Sequence, residues 1–103
     1  MSQGDNNYRP LPNEVTVKPS PIQGLGLFAT KNILYNALLG ISHVYSPGFK
    51  DNYIRTPLGG FINHAQDPNC ELHKIGDYLY LRIIRNIDKG DELTLKYSLY
   101  TLP

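Results

Sequence analysis

Apolar and polar residues alternate over short stretches of the chain, and the first of these stretches predicts a strand. Residues 15–18 read Val-Thr-Val-Lys, a two-residue period that is typical of a half-buried strand. Pro19 and Pro21 end this strand, because proline cannot donate a hydrogen bond to a β-ladder. The Gly-Leu-Gly sequence at residues 24–26 then predicts a turn that leads into the apolar residues 27–29.

Further strand-like segments follow, and glycine or proline separates them. Residues 38–44 are a second apolar run, whereas residues 45–57 contain Pro47, Gly48 and Pro57 and predict a loop.

The second half of the chain predicts a hairpin and a last strand. Residues 71–74 and 78–84 flank an Ile-Gly-Asp sequence at residues 75–77, and Gly-Asp is an acceptable hairpin turn. Residues 92–97 predict the last strand, with Leu93, Leu95 and Tyr97 on one face.

The periodicity predicts a mainly β fold. No segment of about a dozen residues keeps an apolar period near 3.6, and there is no internal repeat. Residues 1–13 are polar and show neither period, so they predict a flexible tail. Residues 14–103 then form one compact domain, as expected for a chain of 103 residues.

Composition and charge narrow the classes of partner. The chain is 41% hydrophobic and 18% charged, which is typical of a folded domain. Its net charge of +1 does not indicate binding to a nucleic-acid backbone or to a membrane surface. No apolar run approaches the roughly 18 residues of a membrane span, and no secretion signal is evident.

Cysteine usage indicates an intracellular, metal-free protein. Cys70 is the only cysteine, which excludes an internal disulfide or a thiolate zinc cluster. Although His64, Cys70 and His73 are residue types that bind zinc, their spacing and the lack of a fourth ligand argue against a metal site.

Three segments carry candidate chemistry, and each has a purely structural alternative. The glycines at residues 24–26 could let backbone groups approach a ligand, or they could simply form a tight turn. Residues 61–70 place Asn, His, Asp and Pro behind an apolar pair, which could build a site or a capped turn. Residues 87–97 end at Tyr97, which could be catalytic or part of the core.

Together, and in this order, the segments resemble the SET-domain family. Residues 24–29 are similar to its glycine-turn motif, residues 61–70 to its Asn-His motif and residues 90–97 to its Gly-Glu-Glu-Leu-Thr-x-Asp-Tyr motif. The resemblance covers residues 14–100, and its brevity is like that of the minimal SET proteins found in viruses. It implies small curved sheets (a β-clip fold) with a C-terminal pseudoknot that brings residues 61–70 and 90–97 together.

The resemblance also implies a cofactor and a reaction. The cofactor would be S-adenosylmethionine, and the reaction would transfer methyl groups to the ε-amine of lysine in a protein substrate. Tyr97 matches the catalytic tyrosine of the family. The residues expected to bind the cofactor are Gly24, Leu25, Gly26, Leu27, Asn63, His64 and Tyr100.

The resemblance also implies which residues form the substrate channel. Leu95 lies where relatives often carry Phe or Tyr, and Tyr45 or Tyr53 would line the same channel. Because leucine cannot hold a water molecule through a hydroxyl, we expect more than one methyl group to fit. Since only six residues follow Tyr97, we expect a homodimer or the substrate protein to complete the channel.

Three positions depart from the family pattern and leave two alternatives open. Gly60 lies where Arg is usual, Ala65 where Ser is common and Lys96 where Asp is usual. A catalytically inactive module that binds S-adenosylmethionine or a lysine peptide is one alternative. A small β-rich interaction protein, in which the glycines are turns and Tyr97 is core, is the other.

Overall fold

A computed structural model describes residues 11–96, and within this part the chain is mainly β, as predicted. The elements are β1 (Val15–Pro19), β2 (Leu25–Ala29), β3 (Leu38–Tyr45), β4 (Tyr53–Arg55), α1 (Pro57–Gly60), β5 (Asn63–His64), β6 (Cys70–Ile75), β7 (Tyr78–Ile83) and β8 (Glu92–Leu95). The predicted hairpin is confirmed, since β6 pairs with β7 around Gly76, whose φ is 59°.

The predicted loop at residues 45–57 was partly wrong. Tyr53 pairs with Tyr45 at the end of β3, so residues 53–55 form an edge strand. A 3₁₀ turn at Lys50–Asn52, with Asp51 and Asn52 at positive φ, reverses the chain before it. This reversal depends on pairing with β3, and a three-residue strand carries too little period to be recognised in the sequence.

Two features near the motifs, the start of β2 and the burial of Thr94, were not predicted from the sequence. Only Gly24 of the predicted turn has positive φ, at 47°, and β2 already begins at Leu25. Gly26 is therefore a strand residue that pairs with Lys18. In β8, Thr94 is buried between Leu93 and Leu95, because this strand is covered on both faces.

Strand β8 joins the β1–β2 pair to the strands β6, β7, β3 and β4. The strand order is β1-β2-β8-β6-β7-β3-β4, and β5 also pairs with β8 outside this path. Leu27 of β2 lies antiparallel to Leu93, whereas β5 and β6 run parallel to β8. The prediction that distant segments meet is confirmed, because β8 contacts both the glycine segment and residues 63–64.

The hydrophobic core lies around β2, β7 and β8. Its largest fully buried apolar side chains are Leu27, Leu58, Leu79, Leu81, Ile83, Ile87, Leu93 and Leu95. Each such side chain contributes about 1.5–3 kcal/mol when it leaves water. The core thereby fixes the strands whose ends carry the candidate residues.

Helix α1 sets the direction of the chain as it enters β5. The Thr56 hydroxyl caps the helix by accepting from the Gly59 amide at 3.4 Å, and it donates to the Ile41 carbonyl at 2.7 Å. A Cβ atom at Gly59 would collide with the Ser42 carbonyl of β3. Gly59 therefore permits the close contact that holds the Asn-His segment against the sheet.

Part of the predicted N-terminal tail packs against the domain. Of the predicted tail, residues 11–13 are described: Leu11 packs against the core and the Asn13 carbonyl accepts from the Thr30 hydroxyl at 2.6 Å. Within residues 11–96, no helix has the length and apolar character needed to cross a membrane.

Candidate functional site

A groove brings together residues from four of the elements described above, β2, β4, α1 and β5. Its volume is about 560 Å³, which lies within the roughly 300–1,000 Å³ of small-molecule sites. Its walls include Gln23, Gly24, Leu25, Arg55, Asn63 and His64. Four of the residues expected to bind the cofactor (Gly24, Leu25, Asn63 and His64) therefore line one groove.

The glycine turn is held in place by Ser20. The Ser20 amide donates to the Gly24 carbonyl at 2.8 Å, and the Ser20 hydroxyl accepts from the Ile22 amide at 2.9 Å. That hydroxyl also donates to the Glu92 carboxylate, with distances of 2.9 and 2.8 Å to the two oxygens. Ser20 thus links the turn to β8, although the two segments are far apart in the sequence.

Asn63 fastens the same turn from the other side. Its Nδ2 amide faces the carbonyls of Gln23 and Leu25 at 3.1 and 3.2 Å and Glu92 Oε2 at 2.9 Å. All three neighbours are acceptors, so the amide nitrogen must point toward them. The amide oxygen Oδ1, on the other branch, is the acceptor that Asn63 can offer to a ligand.

Glu92 is a functional residue whose role the sequence analysis missed. It lies within the recognised 90–97 segment, but its partners Ser20 and Asn63 are 72 and 29 residues away. A carboxylate at the start of a strand gives no local sign of such contacts. Its placement depends on β8 lying beside β2 and β5.

Gly26 is required by this network rather than by a turn. A Cβ atom there would collide with the Glu92 carboxylate and would lie 3.1 Å from Asn63 Nδ2. Real Cβ atoms rarely approach polar atoms so closely, so a side chain at this position would displace the carboxylate or the amide.

The segment that follows Asn63 is fixed to β8 by its backbone and by Asn69. The Ala65 amide donates to the Leu95 carbonyl at 3.1 Å. The Asn69 side chain donates to the Glu92 carbonyl at 2.9 Å and accepts from the Thr94 amide at 2.8 Å. Asn69 therefore has the structural role that the capped-turn alternative foresaw.

The Asp67 side chain lies on the protein surface, outside the groove. It pairs with Arg85 at 2.7 Å, and the hydrogen bond and charge of that guanidinium lower the pKa of the Asp67 carboxyl.

A second hollow of about 390 Å³ adjoins the groove and shares Arg55 with it. It is lined by Phe49, Asp51, Tyr53, Ile54 and Arg55. The Tyr45 ring packs edge-on against Tyr53, with centroids 5.8 Å apart. Tyr53 therefore lines a hollow, whereas Tyr45 packs against the Tyr53 ring and is not part of the lining.

The remaining predicted site residues lie elsewhere. Leu27 and Leu95 are core residues, with exposed fractions of 0% and 1%. Tyr97 and Tyr100 lie outside the described residues, so the roles predicted for them stay predictions. Of the three departures, Gly60 lines the groove, Ala65 pairs with β8 and the Lys96 side chain is exposed.

His43 is a buried titratable residue beside the second hollow. Its ring packs edge-on against Tyr53 at 6.1 Å, and its Nδ1 lies 2.8 Å from the Ser42 hydroxyl. That hydroxyl donates to the Leu79 carbonyl at 3.0 Å, so it accepts from Nδ1–H and leaves Nε2 unprotonated. Burial, together with the charge of Arg55, lowers the pKa of His43 to about 4.

The zinc-ligand residue types do not converge. Within residues 11–96, no three His, Cys, Asp or Glu side chains are placed to hold a metal ion. Cys70 is buried at the start of β6, its thiol lies 3.3 Å from Asn69 Oδ1, and burial raises its pKa to about 12.

Curated relatives match parts of the chain. Histone-lysine N-methyltransferase SMYD3 of Mus musculus is 44% identical over 41 residues, which are 40% of this chain and 10% of that protein. The H3 lysine-36 specific histone-lysine N-methyltransferase of Mycosarcoma maydis is 43% identical over 68 residues, 57% of this chain and 7% of that protein. The chain thus spans about a tenth or less of these relatives.

A solved structure shares the fold. The methyltransferase domain of human PR domain-containing protein 2 has a TM-score of 0.64 at 22% identity, covering 90% of this chain and 82% of that one. The family model for the SET domain matches residues 42–98, which is more than half of the chain. Since that match includes β4 to β8 and the contact between Asn63 and Glu92, the chain belongs to the SET-domain family.

Proposed function

We propose that this chain is an S-adenosylmethionine-dependent methyltransferase that acts on the ε-amine of lysine in a protein substrate. The observation that carries the proposal is the groove in which the Gly24 turn and Asn63 meet, held together by Glu92. Membership of the SET-domain family and the histone-lysine methyltransferases among the relatives support it.

The residues of the groove fit the cofactor. The Gly24 turn exposes backbone groups without a side chain in the way, and Asn63 Oδ1 is an acceptor for an ammonium group. When bound, S-adenosylmethionine would supply a methyl group that a neutral amine can attack in line, so that the N–C bond forms as the C–S bond breaks and S-adenosylhomocysteine leaves. The network of Ser20, Asn63 and Glu92 sets the groove in advance, so little order has to be created on binding.

The target lysine must reach the site as a neutral amine. Free lysine has a pKa of about 10.4, so a dry channel that disfavours the ammonium form is needed at neutral pH. The hollow beside Tyr53 adjoins the groove through Arg55, and this supports placing the lysine there. Tyr97 is the residue that we expect to orient the amine.

Transfer of radiolabel from S-adenosylmethionine tests the function. Histones are the first substrates to try, because the relatives are histone-lysine methyltransferases. We expect label on lysine with the wild-type chain and none with Tyr97→Phe, whose fold is checked by circular dichroism. Cofactor binding without label on histones or on any protein of a cell lysate would favour the inactive binding module.

The number of methyl groups added and the oligomeric state can each be measured separately. We expect lysine that carries more than one methyl group, and mass spectra showing only monomethyl-lysine at full turnover would refute this. We also expect a homodimer, which light scattering coupled to size-exclusion chromatography measures directly.

A further inference from the structure

Arg55 holds a distinct position in the charge pattern of the groove. Among the described residues that line it, Arg55 is the only Lys, Arg, Asp or Glu. It lies at the end of β4, opposite His43 of β3, and its side chain is exposed. Among the residues that the structure describes, Arg55 is therefore the one permanent cation of the groove, and it belongs neither to the glycine turn nor to the Asn-His segment.

The Asn63 side of the groove has the opposite character. Asn63 Nδ2 is directed at the Gln23 and Leu25 carbonyls and at Glu92, which leaves the amide oxygen as the acceptor. Glu92 adds a negative charge directly behind this amide. A ligand with an ammonium and a carboxylate on one carbon would find an acceptor at Asn63 and a cation at Arg55 in the same groove.

We propose that Arg55 is the specificity residue for the carboxylate of the ligand's amino-acid end, while the Asn63 side receives the ammonium group. This inference rests on the proposed function and assigns one residue within it. A guanidinium suits the task because its planar fork can donate two parallel hydrogen bonds to a carboxylate. A ligand without the amino-acid end gains nothing from Arg55.

Gly60 makes a rescue experiment possible. It lines the same groove, and a Cβ atom there would have no neighbour within 4 Å. Its φ is not in the left-handed region, so a side chain is tolerated. An arginine introduced at residue 60 can therefore extend along the groove and offer a second guanidinium.

The experiment measures binding by calorimetry with two probes. S-adenosylhomocysteine carries the amino-acid end, and 5′-methylthioadenosine lacks it. Arg55→Gln should weaken S-adenosylhomocysteine binding about 10-fold to 100-fold, as expected for a charge-assisted hydrogen bond. It should leave 5′-methylthioadenosine binding unchanged within about twofold.

The double variant and the control complete the test. Arg55→Gln combined with Gly60→Arg should recover most of the lost affinity for S-adenosylhomocysteine. Lys74→Gln removes the same charge from an exposed position on β6 and should change neither affinity. Thermal unfolding of every variant shows whether the fold is kept.

The outcomes separate this inference from the proposed function. If the wild-type chain binds neither probe, the proposed function fails. If the wild-type chain binds S-adenosylhomocysteine and Arg55→Gln binds it equally well, only the assignment of Arg55 fails. An equal loss for both probes would also overturn it, because the carboxylate would then not be the group that Arg55 recognises.

Discussion

Asn63 and Glu92 lie 29 residues apart in the sequence and are joined by a hydrogen bond of 2.9 Å. Through this contact the Asn-His segment and the last described strand hold the glycine turn jointly, since Ser20 binds the same carboxylate. None of the three motifs builds the groove alone. Glu92 is the residue that turns them into one site.

Glu92→Gln should weaken cofactor binding and lower stability moderately. The substitution keeps the size of the side chain but replaces the carboxylate that accepts from both Ser20 and Asn63 with a neutral amide. This should lower the free energy of unfolding by about 1–3 kcal/mol. Urea unfolding and calorimetric titration with S-adenosylhomocysteine measure the two effects. Glu71→Gln, which breaks the ion pair with Arg82, is the matched control. It should leave cofactor affinity unchanged, and an equal loss in both variants would contradict the role of Glu92.

Gly26→Ala should be far more damaging than Gly60→Ala. A Cβ atom at Gly26 collides with the Glu92 carboxylate, whereas one at Gly60 meets open space. Forcing atoms into a packed site costs about 1–3 kcal/mol. We expect the Gly26 variant to unfold at lower temperature and to show little stabilisation by S-adenosylhomocysteine. Similar behaviour of the two variants would show that Gly26 is not constrained by the network.

Local features of the fold could be predicted from the sequence, whereas the site depends on contacts between distant segments. The β6–β7 hairpin was predictable because its turn and its paired strands are adjacent in the chain. Gly26 looked like a turn residue because the collision that requires glycine comes from Glu92, 66 positions later. Arg55 was missed for a similar reason, since β4 forms only by pairing with β3.

His43 should make the protein less stable in acid. Its pKa is about 4 in the folded chain, lowered by burial and by Arg55, and about 6.5 when unfolded. The unfolded state therefore binds the proton more readily. The contribution of His43 to the free energy of unfolding is fully present above pH 6.5 and is lost as the pH falls toward 4. The loss from this residue alone is about 3 kcal/mol.

Urea unfolding at a series of pH values between 7.5 and 4 measures this dependence. His43→Gln removes the titrating group, so its stability should fall less over this range, although it is less stable than the wild type at pH 7.5. His73→Gln, on strand β6, should keep the wild-type dependence. A wild-type slope that survives in the His43 variant would assign the acid sensitivity to other groups.

Cys70 should be unreactive in the folded protein and reactive after unfolding. Its side chain is 1% exposed and burial raises its pKa to about 12, so almost no thiolate is present at pH 8. We expect a thiol reagent such as 5,5′-dithiobis(2-nitrobenzoate) to react at the rate of unfolding in buffer and within seconds in guanidinium chloride. Because Cys70 is the only cysteine, the signal reports this position alone. S-adenosylhomocysteine should slow the reaction further, since a ligand that binds only the folded state reduces the fraction of chains that are free to unfold. Rapid labelling in buffer that the ligand does not slow would show that β6 opens independently of the groove.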